Sequence, residues 1–193
     1  NNMILVVSGD ISAQELKPLA QKYYGGLARK NLPARIRPNI PGAQAITDLT
    51  LHHPQITQAQ YYKLYLAPTE AKNRADSLAL QVLVDILSGG PTSRLYKSLV
   101  VEQKKAITAS LSYNANALDY GTLSLEGTPA QGITPQELSQ LFEEEIKKVI
   151  TQGVSDAEVK ESIQKLEDEA IFARDSLAGP AMIFGQAMAT GSS

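Results

Sequence analysis

Few side chains in this sequence are arranged for covalent or metal chemistry. The only histidines are the adjacent pair His52-His53. Neighbours on a strand point to opposite faces, so the pair cannot readily chelate one ion. On a loop they would still lack a suitably spaced carboxylate, and they read as two solvated residues at a strand start. The same scarcity removes serine hydrolase chemistry, which needs a histidine base oriented by an acid. Cysteine is absent, which excludes disulfides, thiolate metal sites and a cysteine nucleophile. Glu143-Glu144-Glu145 with Lys147-Lys148, and the run Glu167-Asp168-Glu169, supply carboxylates. Nothing singles out two of them for acid–base work. They read as solvated helix faces with i,i+4 support.

Three features remain as candidate binding elements. The first is the turn around Gly89 and Gly90, ahead of a short helix. Free N–H groups there could cradle an anion, but the Walker spacing and its lysine are missing. A tight turn that lets two helices pack is the better reading. The second is Arg94, the charged residue that follows the two glycines. It is suited to pin the loop through carbonyls or an acid, and less so to touch a substrate directly. The third is Tyr61. Tyr61 and Tyr65 share one face of a strand and Tyr62 the other, so core packing is the default. An edge strand that pairs with an extended peptide is the functional version.

The elements that would position these residues follow from periodicity and punctuation. Met3 to Ser8 reads as a short buried strand. Ser12 and Glu15 form a capping-box signal, and the helix behind them stops at Gly25-Gly26. Asn31 to Gly42, with Pro33, Pro38 and Pro41, reads as an extended linker, with strand-like sequence at Ile46 to Leu51. Gln58 to Ala67 reads as a strand. Ala75 to Leu87 forms a helix apolar on so much of its circumference that it should be largely buried. Thr92 or Ser93 can cap a short helix through Val101. Ile107 to Tyr113 and Gly121 to Thr128 read as two strands. Thr134, Pro135 and Glu137 open a helix to about Gln152. Ser155 and Glu158 open a last long helix, which Gly179-Pro180 interrupts.

This order predicts an α+β fold, a mostly antiparallel sheet with helices packed on one face. Hydrophobic content of 43% and charged content of 20% suit a globular chain. A net charge of −2 without a dense basic patch argues against nucleic-acid binding. The apolar runs are too short to span a bilayer.

The segment Ser88-Gly-Gly-Pro-Thr-Ser-Arg-Leu-Tyr-Lys-Ser-Leu99 resembles the "GG-x-x-SRL-[FY]" segment in the second domain of the pitrilysin/insulinase-type zinc peptidases, the inverzincins. Leu5-Val-Val-Ser-Gly-Asp10 resembles the "VVVGD" strand that closes the family's first domain. The helix to Tyr24-Gly25, the proline-rich linker and the strand end Leu66-Ala-Pro68 follow in the family's order. The resemblance implies the processing-peptidase-like metallohydrolase fold. It divides the chain into a last strand–helix unit of the preceding domain (1–31), a linker (32–45) and a second domain cut short at its C-terminus (46–193).

Family members close two similar halves around a peptide. The first half holds zinc on an H-x-x-E-H helix and a later glutamate, and the Glu between the histidines activates water. The second half carries no zinc ligand. In active forms it supplies an Arg and a Tyr seven residues apart. This sequence has no H-x-x-E-H, and alignment on Arg94-Leu95 puts Val100 and Ile107 where the Arg and Tyr should stand. Neither can donate a hydrogen bond to a peptide carbonyl or a developing oxyanion. The segment Leu99-Val-Val-Glu-Gln-Lys104 resembles the zinc-carrying type of paired bacterial subunits.

The resemblance thus implies a non-zinc-binding half of a zinc-dependent endopeptidase, forming one wall of a peptide chamber and inactive by itself. Zinc is expected only in a full-length parent, with no catalytic or metal-ligating residue in this chain. Expected partners are a peptide substrate, the parent's own N-terminal zinc-binding half, and a homologous subunit that carries the Arg/Tyr pair. A non-catalytic family member acting as scaffold or partner subunit is the alternative, and a plain peptide-binding module a third. The expected compartment is the bacterial periplasm, with the cytoplasm as the alternative.

Overall fold

The computed structural model describes residues 3–28, 30, 31, 33, 36, 45–173 and 175–190. By contact it divides into two compact units: Pro41–Asp168, and Asn1–Ile40 together with Glu169–Ser193. The expected linker, 32–45, lies almost wholly outside the described residues.

The larger unit is built on three antiparallel strands: β1 (Tyr61–Ala67), β2 (Ala106–Asn114) and β3 (Gly121–Pro129). Their order is β1-β3-β2, so β3 is central and the two others are edges. The strands alternate as half-buried strands must. Tyr61, Lys63 and Tyr65 of β1, Leu123 and Leu125 of β3, and Ala109 and Leu111 of β2 share the inner face, in the register Tyr61 opposite Gly127 and Leu111 opposite Leu125. The outer face carries the alternate residues: Tyr62, Leu64 and Leu66 are exposed. Beside them run Ser and Thr side chains, with Tyr62 Oη and Ser124 Oγ 3.1 Å apart, and Thr108 Oγ1 donating to Thr128 Oγ1 at 2.9 Å.

Within the larger unit, helices of the described residues pack on the inner face, in keeping with the α+β expectation. α2 (Arg74–Ser88) and a π-helical segment (Tyr96–Glu102) pack on β2, and α3 (Pro135–Gln152) packs on β1 and β3. Leu95, Leu99, Leu125, Leu138 and Phe142 are fully buried and form the heart of one core, with Leu87 and Leu111 beside them. Burying a Leu or Phe side chain is worth about 1.5–3 kcal/mol. These few residues therefore carry much of what holds the helices to the sheet. Gly127 makes the fit of α3 close. A Cβ there would stand 2.8 Å from the Thr108 carbonyl oxygen and 2.9 Å from the Phe142 ring.

The cap signals are realised. The Thr134 hydroxyl accepts from the Glu137 amide at 3.1 Å while the Glu137 carboxylate accepts from the Thr134 amide at 2.8 Å. Ser155 and Glu158 repeat this pattern at the start of α4 (Asp156–Ala173). In the smaller unit, Ser12 and Glu15 do the same for α1 (Ala13–Tyr24), and α5 (Gly179–Thr190) starts at the expected Gly179-Pro180 break. There Ser8 Oγ donates to the Leu177 carbonyl, and Gly185 of α5 lies against Val6.

Four expectations about local structure need correction. The helix expected to be largely buried, α2, buries only Ser77, Ile86 and Leu87, and its Leu78 is exposed. Met3 to Ser8 is not a buried strand: it is unpaired among the described residues, and Met3, Ile4, Leu5 and Val7 are exposed. Ile46 to Leu51 likewise forms no strand. Apolar runs gain strand structure only where a neighbour takes up their N–H and C=O groups. The helix expected after Thr92 or Ser93 starts there, with Arg94 and Leu95 helical and Lys97 N–H donating to the Ser93 carbonyl at 2.9 Å. The Ser93 hydroxyl, however, bonds the Gly90 carbonyl instead of capping it, and from Tyr96 the helix widens so that Gln103 N–H reaches back to the Ser98 carbonyl.

Candidate functional site

The glycine-rich turn is set by the end of α2. Gly89 caps that helix, its N–H donating to the Asp85 carbonyl at 2.6 Å. A Cβ at Gly89 would fall 2.4 Å from the same carbonyl oxygen, so no side chain fits without moving backbone. Gly90 has φ +140°, a conformation L-residues rarely adopt. The Gly90 carbonyl then accepts from both the Ser93 amide at 3.1 Å and the Ser93 hydroxyl at 2.6 Å. Ser93 is buried while Pro91 and Thr92 stand exposed. Ser88 Oγ accepts from Leu111 N–H of β2 at 2.9 Å, which ties the start of the turn to an edge strand.

Arg94 leaves this turn as a strut. Its Nε and Nη2 each donate to Glu158 at 2.7 Å, a bidentate pair, and Nη1 donates to the Gly153 carbonyl at 3.2 Å. The guanidinium and the Ser155 cap together hold the Glu158 carboxyl at about 2, well below the usual carboxylate range. The pair stands about one-third exposed. Its contribution is accordingly on the order of 1 kcal/mol.

Tyr61 lies elsewhere. Its ring stacks on Phe142 with centroids 5.9 Å apart, and its hydroxyl accepts from Ser139 Oγ at 2.9 Å. Gly89, Gly90 and Arg94 form one turn at the β2 side of the sheet. Tyr61 sits on β1 against α3, with β3 between. The structure therefore brings three of the four candidate residues together and leaves the fourth apart. His52 and His53 are exposed on a segment without strand structure, and His53 Nδ1 accepts from Gln55 N–H at 3.2 Å. Val100 packs half-buried against the core and Ile107 is exposed where the register of β2 against β3 shifts.

Glu145 corrects the sequence reading of the Glu143–Lys148 run. It is buried rather than solvated, and accepts from Ser98 Oγ at 2.7 Å, Gln103 Nε2 at 3.3 Å and Lys148 Nζ at 2.7 Å. Leu138, Phe142, Glu145 and Val149 recur at helical spacing, so a helical wheel marks Glu145 as inward-facing. The partners of the glycine-rich turn on α4 left no such signal.

The comparisons with known proteins bear directly on this arrangement. Residues 1–166 match the family model described as the peptidase M16 inactive domain. This chain belongs to the M16 peptidase family. Solved structures agree on the fold. A protease from Helicobacter pylori superposes with a TM-score of 0.76 at 18% identity, over 95% of this chain and 44% of that one. A conserved protein from Enterococcus faecalis gives 0.72 at 21% identity, over 93% and 41%. A candidate M16-like peptidase from Alicyclobacillus acidocaldarius gives 0.70 at 18%, over 95% and 43%. The chain spans less than half the length of each. No curated protein matches significantly. Among the described residues no group of three or more His, Cys, Asp or Glu is placed to hold a metal ion, and no helix is long and apolar enough to cross a membrane.

Proposed function

We propose that this chain is the non-zinc-binding half of a zinc-dependent endopeptidase, forming one wall of a chamber that holds an extended peptide. The observation that carries the reading is the match of residues 1–166 to the inactive-domain model of the family. The described residues do not fit a zinc site. On this reading metal chemistry belongs to a zinc-binding half that precedes this one in a longer parent. The role left for this chain is to shape and bind. The Gly89-Gly90 turn and the edge of β1 that is unpaired among the described residues are the elements suited to border a peptide.

Val100 and Ile107 cannot supply the hydrogen bonds expected of the Arg/Tyr pair, which supports a partner subunit that does. They equally favour the second reading, a non-catalytic family member that serves as scaffold. One experiment separates the two. The full-length parent, alone and mixed with a homologous subunit that carries Arg and Tyr at those positions, is assayed on a quenched extended peptide. Zinc-dependent cleavage that needs the mixture supports the peptidase reading. Absence of cleavage in both, with stable complex formation, supports the scaffold.

A further inference from the structure

One face of α4 is written in polar residues. Glu158, Ser162 and Lys165 follow one another at i, i+4 and i+7, a single stripe along the helix. Glu158 and Lys165 meet the end of α2 or the turn that follows it, and Ser162 meets α2 further back. Lys165 Nζ donates to Asp85 Oδ1 at 2.6 Å and also to the Gly89 carbonyl. Ser162, itself buried, donates from Oγ to the Val82 carbonyl at 3.3 Å. Glu158 takes both arms of Arg94. The stripe thus touches the last turn of α2, the first glycine of the turn, and the residue where the turn ends.

The charges are placed where they count. The C-terminal end of a helix presents unsatisfied carbonyls and partial negative charge. Asp85 in the last turn of α2 adds to that negative end, and the ammonium of Lys165 offsets both. At the far side of the turn the guanidinium is positive and α4 answers with a carboxylate. The turn has bonds of its own, from Ser93 to the Gly90 carbonyl and from Leu111 N–H to Ser88 Oγ, but between them its tip is open. Pro91 and Thr92 are exposed, and Gly90 is the residue with the most backbone freedom.

We propose that α4 is a clasp for the glycine-rich turn: Lys165 fixes its start, Glu158 fixes its end, and the pair together hold Ser88–Arg94 in one conformation. Glu158 and Lys165 are then positioning residues, acting through Asp85, Gly89 and Arg94. The clasp is a property of the fold and does not depend on the activity of any parent.

Amide hydrogen exchange on the chain as it stands tests this. Glu158→Gln is the informative variant, because Gln at the third helical position keeps the capping box with Ser155 while giving up the ion pair. Lys165→Met removes the other hold. Either change should speed exchange across residues 88–97 by about fivefold, the fold-change expected on losing a partly exposed ion pair, and leave β3 unchanged. Ser155→Ala, which removes the cap alone, should speed only the first turn of α4. Should Lys165→Met fail to fold, Asp85→Asn breaks the same contact from its other end. Unchanged rates at 88–97 in Glu158→Gln and in Lys165→Met or Asp85→Asn would overturn the clasp. So would an exchange pattern in Glu158→Gln matching that of Ser155→Ala.

Discussion

The contact between Gly127 and Phe142 allows a sharp prediction about what holds α3 to the sheet. Phe142 is fully buried and stacks on Tyr61 at 5.9 Å. Removing the ring in Phe142→Ala should cost about 3–5 kcal/mol. Gly127→Ala introduces the opposite fault. The added methyl would lie 2.8 Å from the Thr108 carbonyl oxygen and 2.9 Å from the ring. The ring can turn aside, but the carbonyl belongs to the paired strand and cannot yield without opening the β2–β3 ladder. Overpacking of this kind costs about 1–3 kcal/mol. In the double variant one of the two clashes disappears, so the loss should fall short of the sum by roughly 0.5–1 kcal/mol, within the range seen for touching residues. Urea unfolding, followed by amide exchange of β3 so that the larger unit is read by itself, measures all three. With m about 2 kcal/mol/M, a 4 kcal/mol loss moves the midpoint by about 2 M. A Phe142→Ala variant within about 1 kcal/mol of the parent would refute the packing argument. Strict additivity in the double variant would refute the steric one.

Other outcomes follow from single contacts. Gly90→Ala forces an L-residue to φ +140° and should destabilise by about 1–2 kcal/mol in the same urea assay. Thr134→Ala removes a capping hydroxyl from α3 and should cost about 1 kcal/mol, read as faster exchange in the first turn. The Arg94–Glu158 pair gives a pH dependence of known sign. The folded pKa of Glu158 is about 2, below the ordinary 4.5, so its contribution is complete above about 4.5. It is lost as pH falls through 2. The stability gap between the parent and Glu158→Gln should accordingly be constant near neutral pH and close between pH 5 and 2. A gap that widens on acidification would contradict the pairing.

The sequence was most legible where local chemistry decides. Ser12/Glu15, Thr134/Glu137 and Ser155/Glu158 mark helix starts by type and spacing alone, and Gly89-Gly90 marks a turn because no side chain can stand there. The inner and outer faces of β1 also follow from alternation. Sequence failed where the outcome depends on partners distant in the chain. Nothing local says that Met3–Ser8 and Ile46–Leu51 lack a neighbour to pair with. Lys165 meeting Asp85, and Arg94 meeting Glu158, join residues 80 and 64 apart. Local reading gives Arg94 a pinning role on carbonyls or an acid without saying which acid, and it treats Lys165 and Asp85 as ordinary surface charges. Tyr61 illustrates the limit for sites: alternation puts it on one face with Tyr65 and favours core packing, but only the packing of α3 identifies Phe142 and Ser139 as the groups that engage its ring and hydroxyl.

The assignment to a half that shapes a chamber rather than cleaving within it is tested most directly by metal content. The purified chain is equilibrated with zinc, passed through a desalting column and analysed by plasma mass spectrometry. The account expects zinc far below one equivalent per chain. One tightly held zinc per chain would contradict it.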